Sequence, residues 1–201
     1  MIQQLPHHRL DIGFSLIETL VAVAILLLVI VGPMSIASQA NSSTTFANQQ
    51  ITAYFLAQEG LELAQKGRDD LLLPQFAADP LPPANNVGWN AFVSDVGDFS
   101  ECIDGNTCGL EIIDGADGDI DVRDCSNFSD CRLYLSNDAG RSHYTYDDSV
   151  ANVATDFTRT VTMDVDGDEV FVTATVRWRT GDQITEQSTT ATTYLFNVYG
   201  R

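Results

Sequence analysis

From Leu20 to Val31 the chain reads LVAVAILLLVIV, with no polar side chain. This run limits what the N-terminal part can become more than any other feature. Extended over residues 14–36, the apolar stretch covers 23 residues, enough for a helix to cross a hydrocarbon core of about 30 Å. It reads as a membrane span. The preceding residues, 1–13, are polar overall and include His7, His8 and Arg9, so the boundary is abrupt. Arg9 precedes the run and no basic residue follows until Lys66. That bias predicts a short leader that stays cytoplasmic, with the bulk of the chain outside.

Glu18 breaks the apolar pattern near its start. An ionised carboxylate at that depth is costly unless something compensates it. One reading supplies a partner: cleavage between Gly13 and Phe14 creates an α-amino group at similar depth, and the ammonium of an adjacent subunit neutralises Glu18 as their helices pack side by side. The other places Glu18 in the headgroup region, where a carboxylate suits the positive end of the helix dipole. The residues alone leave both open.

The segment Gly13-Phe14-Ser15-Leu16-Ile17-Glu18-Thr19-Leu20-Val21-Ala22, followed by an unbroken apolar helix, resembles the class III signal of type IV pilins and type II secretion pseudopilins. The resemblance implies a prepilin peptidase that cuts after Gly13 and methylates Phe14, with Glu18 as the assembly residue. It also implies other pilin or pseudopilin subunits and an inner-membrane assembly machinery as partners. Residues 57–62, AQEGLE, and the pattern Val176-Arg177-Trp178 leading to Thr192-Thr193-Tyr194-Leu195 are similar to minor pilins of the pilus-modification type and minor pseudopilins. The similarity covers about the first 65 residues and, loosely, the C-terminal strands; the Asp- and Cys-rich middle has no counterpart in it.

The chain as a whole holds 28 acidic against 10 basic residues, a net charge of -18. Such a surface repels phosphate backbones, so no direct nucleic-acid partner is expected. All four cysteines, Cys102, Cys108, Cys125 and Cys131, fall within a short Asp- and Gly-rich stretch. Their C-x5-C spacing lacks the tight knuckles of structural zinc sites, and His7, His8 and His143 are remote in sequence. Two disulfides are expected, and with them a location outside the reducing cytoplasm. Three connectivities are open; pairing in sequence order comes first because each bridge then closes a short loop.

Beyond the span, Gly32-Pro33 predicts a kink or a loosened turn in a helix that otherwise continues. Phe46, Ile51, Tyr54, Phe55, Leu61 and Ala64 recur at helical spacing among polar residues, giving an amphipathic half that ends near Gly67 as a left-handed cap. Pro74, Pro80, Pro82 and Pro83 mark a loop or extended connector over 74–98, and short strands and turns follow to about residue 150. Residues 158–165 and 169–179 flank Asp166-Gly167, a tight-hairpin signal, and a third β-rich run covers 184–198. Val170, Val172, Ala174, Val176 and Trp178 share one face. The expected class is therefore α+β, pilin-like: a long N-terminal helix, membrane-spanning in its first half and amphipathic in its second, packed on a C-terminal antiparallel β-sheet. The expected division is leader 1–13, assembly helix 14–36, amphipathic helix 37–67 and globular head 68–201.

Two acidic clusters are candidates for calcium: Asp114, Asp117, Asp119 and Asp121 in the middle, and Asp164, Asp166 and Asp168 at the hairpin. Neither has the full EF-hand ligand order, and turn formation alone accounts for the hairpin acids. No other cofactor is expected. The sequence carries no nucleophile elbow, no H-E-x-x-H and no phosphate-cradling loop, and His143 reads as a surface loop residue, so an enzyme is not expected. The resulting expectation is a minor pilin or pseudopilin, held single-pass in the cytoplasmic membrane and then assembled into an extracellular or periplasmic filament. The competing one is a secreted or membrane-anchored binding domain cut by ordinary signal peptidase, for which Ser38-Gln39-Ala40 is an acceptable site.

Overall fold

The computed structural model describes residues 13, 15–78, 86–112, 118–138, 140–180 and 185–198. The chain divides into two compact units, Met1–Thr45 and Phe46–Arg201. Helix α1, Leu16–Ala78, runs through the boundary. In the first unit it is the whole of the regular structure, and every described side chain there is exposed. It stays helical through Gly32 and Pro33.

In the second unit the helix lies on an antiparallel sheet of seven strands: β1 (Cys108–Ile112), β2 (Ile120–Asp124), β3 (Arg132–Asp138), β4 (Arg141–Thr145), β5 (Val153–Asp166), β6 (Glu169–Trp178) and β7 (Gln187–Phe196). The α+β class with a long helix on a C-terminal antiparallel sheet is thus the observed one. β5 is the central strand. One of its edges carries β6, from Thr158↔Arg177 to Asp166↔Glu169. Its other edge is shared end to end by β3, at Arg132↔Thr158, and β1, at Cys108↔Val161. β2 and β4 then extend β1 and β3, and β7 extends β6.

Strict alternation makes β6 the backbone of the core: Val170, Val172, Ala174, Val176 and Trp178 are all buried, and the residues between them are not. Val161 and Met163 of β5 continue that surface. The helix meets it with small residues, Ala53, Ala57, Gly60 and Ala64, spaced so that they share one stripe. At Gly60 the approach is closest: a Cβ there would stand 3.2 Å from the Ala174 Cβ and 3.4 Å from Val161 Cγ2.

Three expectations need correction. Helix α1 does not end near Gly67 but reaches Ala78, through Pro74. Gly67 is buried rather than a left-handed cap, because a Cβ on it would meet the Phe99 ring at 2.1 Å. The following turn is held by an ion pair from Lys66 to Asp70 and by burial of Leu72. Secondly, the proposed connector over 74–98 includes a short helix, α2 (Val87–Phe92), whose Trp89 and Phe92 join Phe99 in an aromatic cluster with ring separations of 5.9 and 5.1 Å. The aromatics supply the apolar material that proline counting overlooks; residues 79–85 lie outside the described ones. Thirdly, Asp166 is itself paired with Glu169, so the two turn residues are Gly167 and Asp168. Only Gly167 has positive φ, at 61°, the glycine-first form of a two-residue hairpin turn.

Candidate functional site

The sequence places its strongest candidates at the start of α1. Gly13 is exposed, with no atom within 4 Å of a Cβ added there; Phe14 lies outside the described residues. The Ser15 carbonyl accepts the amides of Glu18 at 2.9 Å and Thr19 at 3.2 Å, so the first turn begins here. Glu18 is the acidic residue of that turn, exposed, at the positive end of the helix dipole. Around it and beyond, Leu16, Ile17, Leu20 and the run to Ile36 present their side chains on every face of the helix. This is one N-terminal helix long and apolar enough to span a membrane.

The cysteines pair in sequence order, Cys102 with Cys108 and Cys125 with Cys131, at Cα separations of 4.9 and 5.5 Å. All four are buried. The bridges flank the β1–β2 ladder, where Cys108 stands opposite Asp124. Thr107 ties them together: its carbonyl accepts the Cys125 amide at 2.9 Å, and its Oγ1 donates to the Cys125 carbonyl at 3.0 Å.

Of the middle acidic cluster, Asp114 and Asp117 lie outside the described residues; Asp119 just precedes β2 and Asp121 is exposed on it. At the hairpin, Asp168 Oδ1 accepts from Asn197 Nδ2 at 2.9 Å and the Asp168 carbonyl from the Asn197 amide at 2.8 Å, which is a turn-locking role. Among the described residues no three His, Cys, Asp or Glu side chains are grouped to hold a metal ion. His143 is exposed, but it sits on strand β4 opposite Ser136 rather than in a loop.

The polar centre of the second unit is one that the sequence reading does not single out. Arg159 of β5 is only 1% exposed, facing the helix. Its Nη1 donates to Glu59 Oε2 at 2.7 Å and to the Leu56 carbonyl at 3.4 Å. Nη2 donates to the Leu110 carbonyl at 2.7 Å and Nε to Tyr146 Oη at 2.9 Å. The Tyr146 hydroxyl in turn donates to the Arg159 carbonyl at 3.1 Å. Helix, β1, β5 and the chain after β4 are therefore joined through one guanidinium. Burial opposes the Arg159 charge, yet Tyr146 and Glu59 more than offset it, and its pKa is raised. Burial also pushes the Tyr146 hydroxyl up, against the pull of Arg159.

Beside this centre opens a cleft of about 760 Å³, lined among others by Glu59, Glu111, Asp121, Arg141 and His143. Glu111 closes one wall, its Oε2 accepting from Thr145 Oγ1 at 2.8 Å and from the Tyr146 amide at 2.9 Å. The signal for Arg159 is present in the sequence as parity: it shares alternation with Phe157, Val161 and Met163, all buried, so β5 directs its side chain inward. Glu59, 100 positions away, carries no such signal. The N-terminal candidates and the Arg159 centre belong to different units. Compared with protein-family models, with curated proteins and with solved structures, the chain has no match.

Proposed function

We propose that the chain is a structural filament subunit of the pilin class, a minor pilin or pseudopilin, made as a precursor and cut by a prepilin peptidase between Gly13 and Phe14. The freed Phe14 is then N-methylated, the helix over 14–36 anchors the subunit single-pass in the cytoplasmic membrane, and the second unit lies outside. Glu18 pairs with the new terminal amine of a neighbouring subunit and so sets the register in which the helices assemble. The subunit then passes into an extracellular or periplasmic filament; its partners are other subunits, the peptidase and the assembly machinery, and it performs no catalysis.

The observation that carries this reading is the stretch of the first unit's helix over 16–36, predominantly apolar and with a single carboxylate in its opening turn. A helix with no polar face is stable only in lipid or against like helices. The disulfides, which persist in an oxidising compartment, agree with an outside location for the second unit. The test is the N-terminus of the native protein. A mature chain beginning at Phe14 with a methylated amine is expected; one beginning at Asn41 gives the reading up in favour of ordinary signal-peptidase cleavage. Glu18→Ala is expected to leave insertion and cleavage intact while lowering incorporation into filaments. Unchanged incorporation would remove the charge role of Glu18.

A further inference from the structure

Strand β7 pairs with β6 along its whole length, Glu169↔Phe196 to Trp178↔Gln187, with no break in register. Its other edge is unpaired among the described residues. The ten residues of β7, QSTTATTYLF, include no charge and no proline, in a chain with 28 acidic and 10 basic residues. Sheet edges are ordinarily guarded by lysine, proline or a bulge. This one has none of those devices.

The two faces of β7 differ from those of its neighbour. Ser188, Thr190, Thr192, Tyr194 and Phe196 are exposed, while Thr189, Ala191 and Thr193 are half-buried, although the inward residues of β6 are fully covered. On the exposed face Tyr194 lies 4.8 Å from Phe171 and 6.3 Å from Phe196 between ring centroids, an aromatic patch bordering the open edge. Unpaired backbone, absent charge and uncovered aromatic surface thus coincide.

We propose that β7 is a homotypic interface, at which the β7 strands of two copies pair antiparallel about a two-fold axis and join their sheets. A second copy is the occupant that the strand itself matches, being uncharged and continuously paired along its ten residues. Over most of their surface two such acidic chains repel, whereas β7 brings none of that charge into contact. β7 is neutral, unbroken and necessarily of the same length as its own counterpart, so it can serve as its own partner. Facing also limits register to pairings centred on a residue rather than between two, because exposed residues must oppose exposed residues. The pairing centred on Thr192 satisfies this and keeps residues 188–196 of both copies opposed. It sets Thr192 against its own counterpart, Tyr194 against Thr190 and Phe196 against Ser188. Glu186 then meets Val198, so no like charges stand opposite one another. The pairing is independent of the filament reading.

The test uses the full chain in detergent micelles, where the four native cysteines are already bridged and a single added thiol reports proximity. Thr192→Cys, oxidised with copper phenanthroline, is expected to give a covalent dimer in several-fold higher yield than Thr190→Cys or Val150→Cys. Two Thr190 residues would be offset by four positions, roughly 13 Å along the strands, and Val150 is fully exposed elsewhere. A mixture of Thr190→Cys and Tyr194→Cys chains is expected to cross-link although neither does so alone. Equal yields at Thr190, Thr192 and Val150, or no dimer from Thr192→Cys, would overturn the proposal.

Discussion

The guanidinium of Arg159, itself 1% exposed, reaches Glu59 at 2.7 Å, while the Glu59 side chain remains 47% exposed. One end of this ion pair is in the core and the other in water. Its electrostatic part is therefore screened, and the weight of the interaction falls on the carbonyls of Leu56 and Leu110 and the hydroxyl of Tyr146, which have Arg159 as a donor. Arg159→Met is expected to lower the unfolding free energy by about 2–4 kcal/mol, because it strips donors from buried acceptors. Glu59→Gln is expected to cost about 1 kcal/mol or less. Denaturant titration of both variants checks the order; equal losses would assign the stabilisation to the ion pair instead.

Tyr146 gives the second unit an alkaline limit. Its folded pKa lies above the unfolded value, chiefly through burial, and an unfolded tyrosine titrates near about 10. Below that pH both states keep the proton and the contribution is complete. Above it the unfolded state loses its proton first, so stability falls with rising pH until the folded value is passed. Tyr144, raised by burial and by Glu59, acts in the same sense. Stability measured from about pH 9 to about pH 11 should decline, and Tyr146→Phe should make that decline shallower.

Gly67 and Phe99 occupy the same space in alternative senses: any side chain at 67 displaces the ring. Phe99 is buried and packs edge-on against Phe92, so displacing its ring disturbs that aromatic cluster. Gly67→Ala should therefore destabilise by about 1–3 kcal/mol through overpacking, even though alanine is the better helix former. Thermal melting distinguishes the outcomes, since a cap position of the kind first expected would respond through backbone strain instead, and pairing Gly67→Ala with Phe99→Leu should recover part of the loss only if the clash is with the ring.

Each disulfide closes a ring between cysteines six positions apart. Replacing either pair by serine should cost about 2–3 kcal/mol and leave the β5–β6–β7 pairing intact. The melting temperature of the double variants reads the first effect, and amide exchange at Val172 and Ala174 reads the second.

What the sequence discloses follows from how local the determinants are. The alternation of Val170, Val172, Ala174, Val176 and Trp178 is a property of ten successive residues, and β6 forms where that pattern lies. The apolar helix is equally local. The middle of the chain was opaque for the opposite reason: β1 and β3 are short, and their places come from two half-edges of β5, set by contacts at Val161 and Thr158 far downstream. Gly67 misleads because a glycine that admits an aromatic ring looks, in sequence, like one that ends a helix. Arg159 escapes notice because a charged residue suggests solvent unless its parity in the strand is weighed, and its partner Glu59 lies in another element altogether.

The small size of the two cystine rings bears on the order in which the molecule is put together. Both rings close within residues 102–131, ahead of β5 in the chain. A polypeptide emerging from its N-terminus can close both rings without the strand that organises the sheet, since so short a loop demands nothing of distant segments. The central strand then arrives as a keystone set against abutments that covalent bonds have already fixed, with β6 and β7 following it.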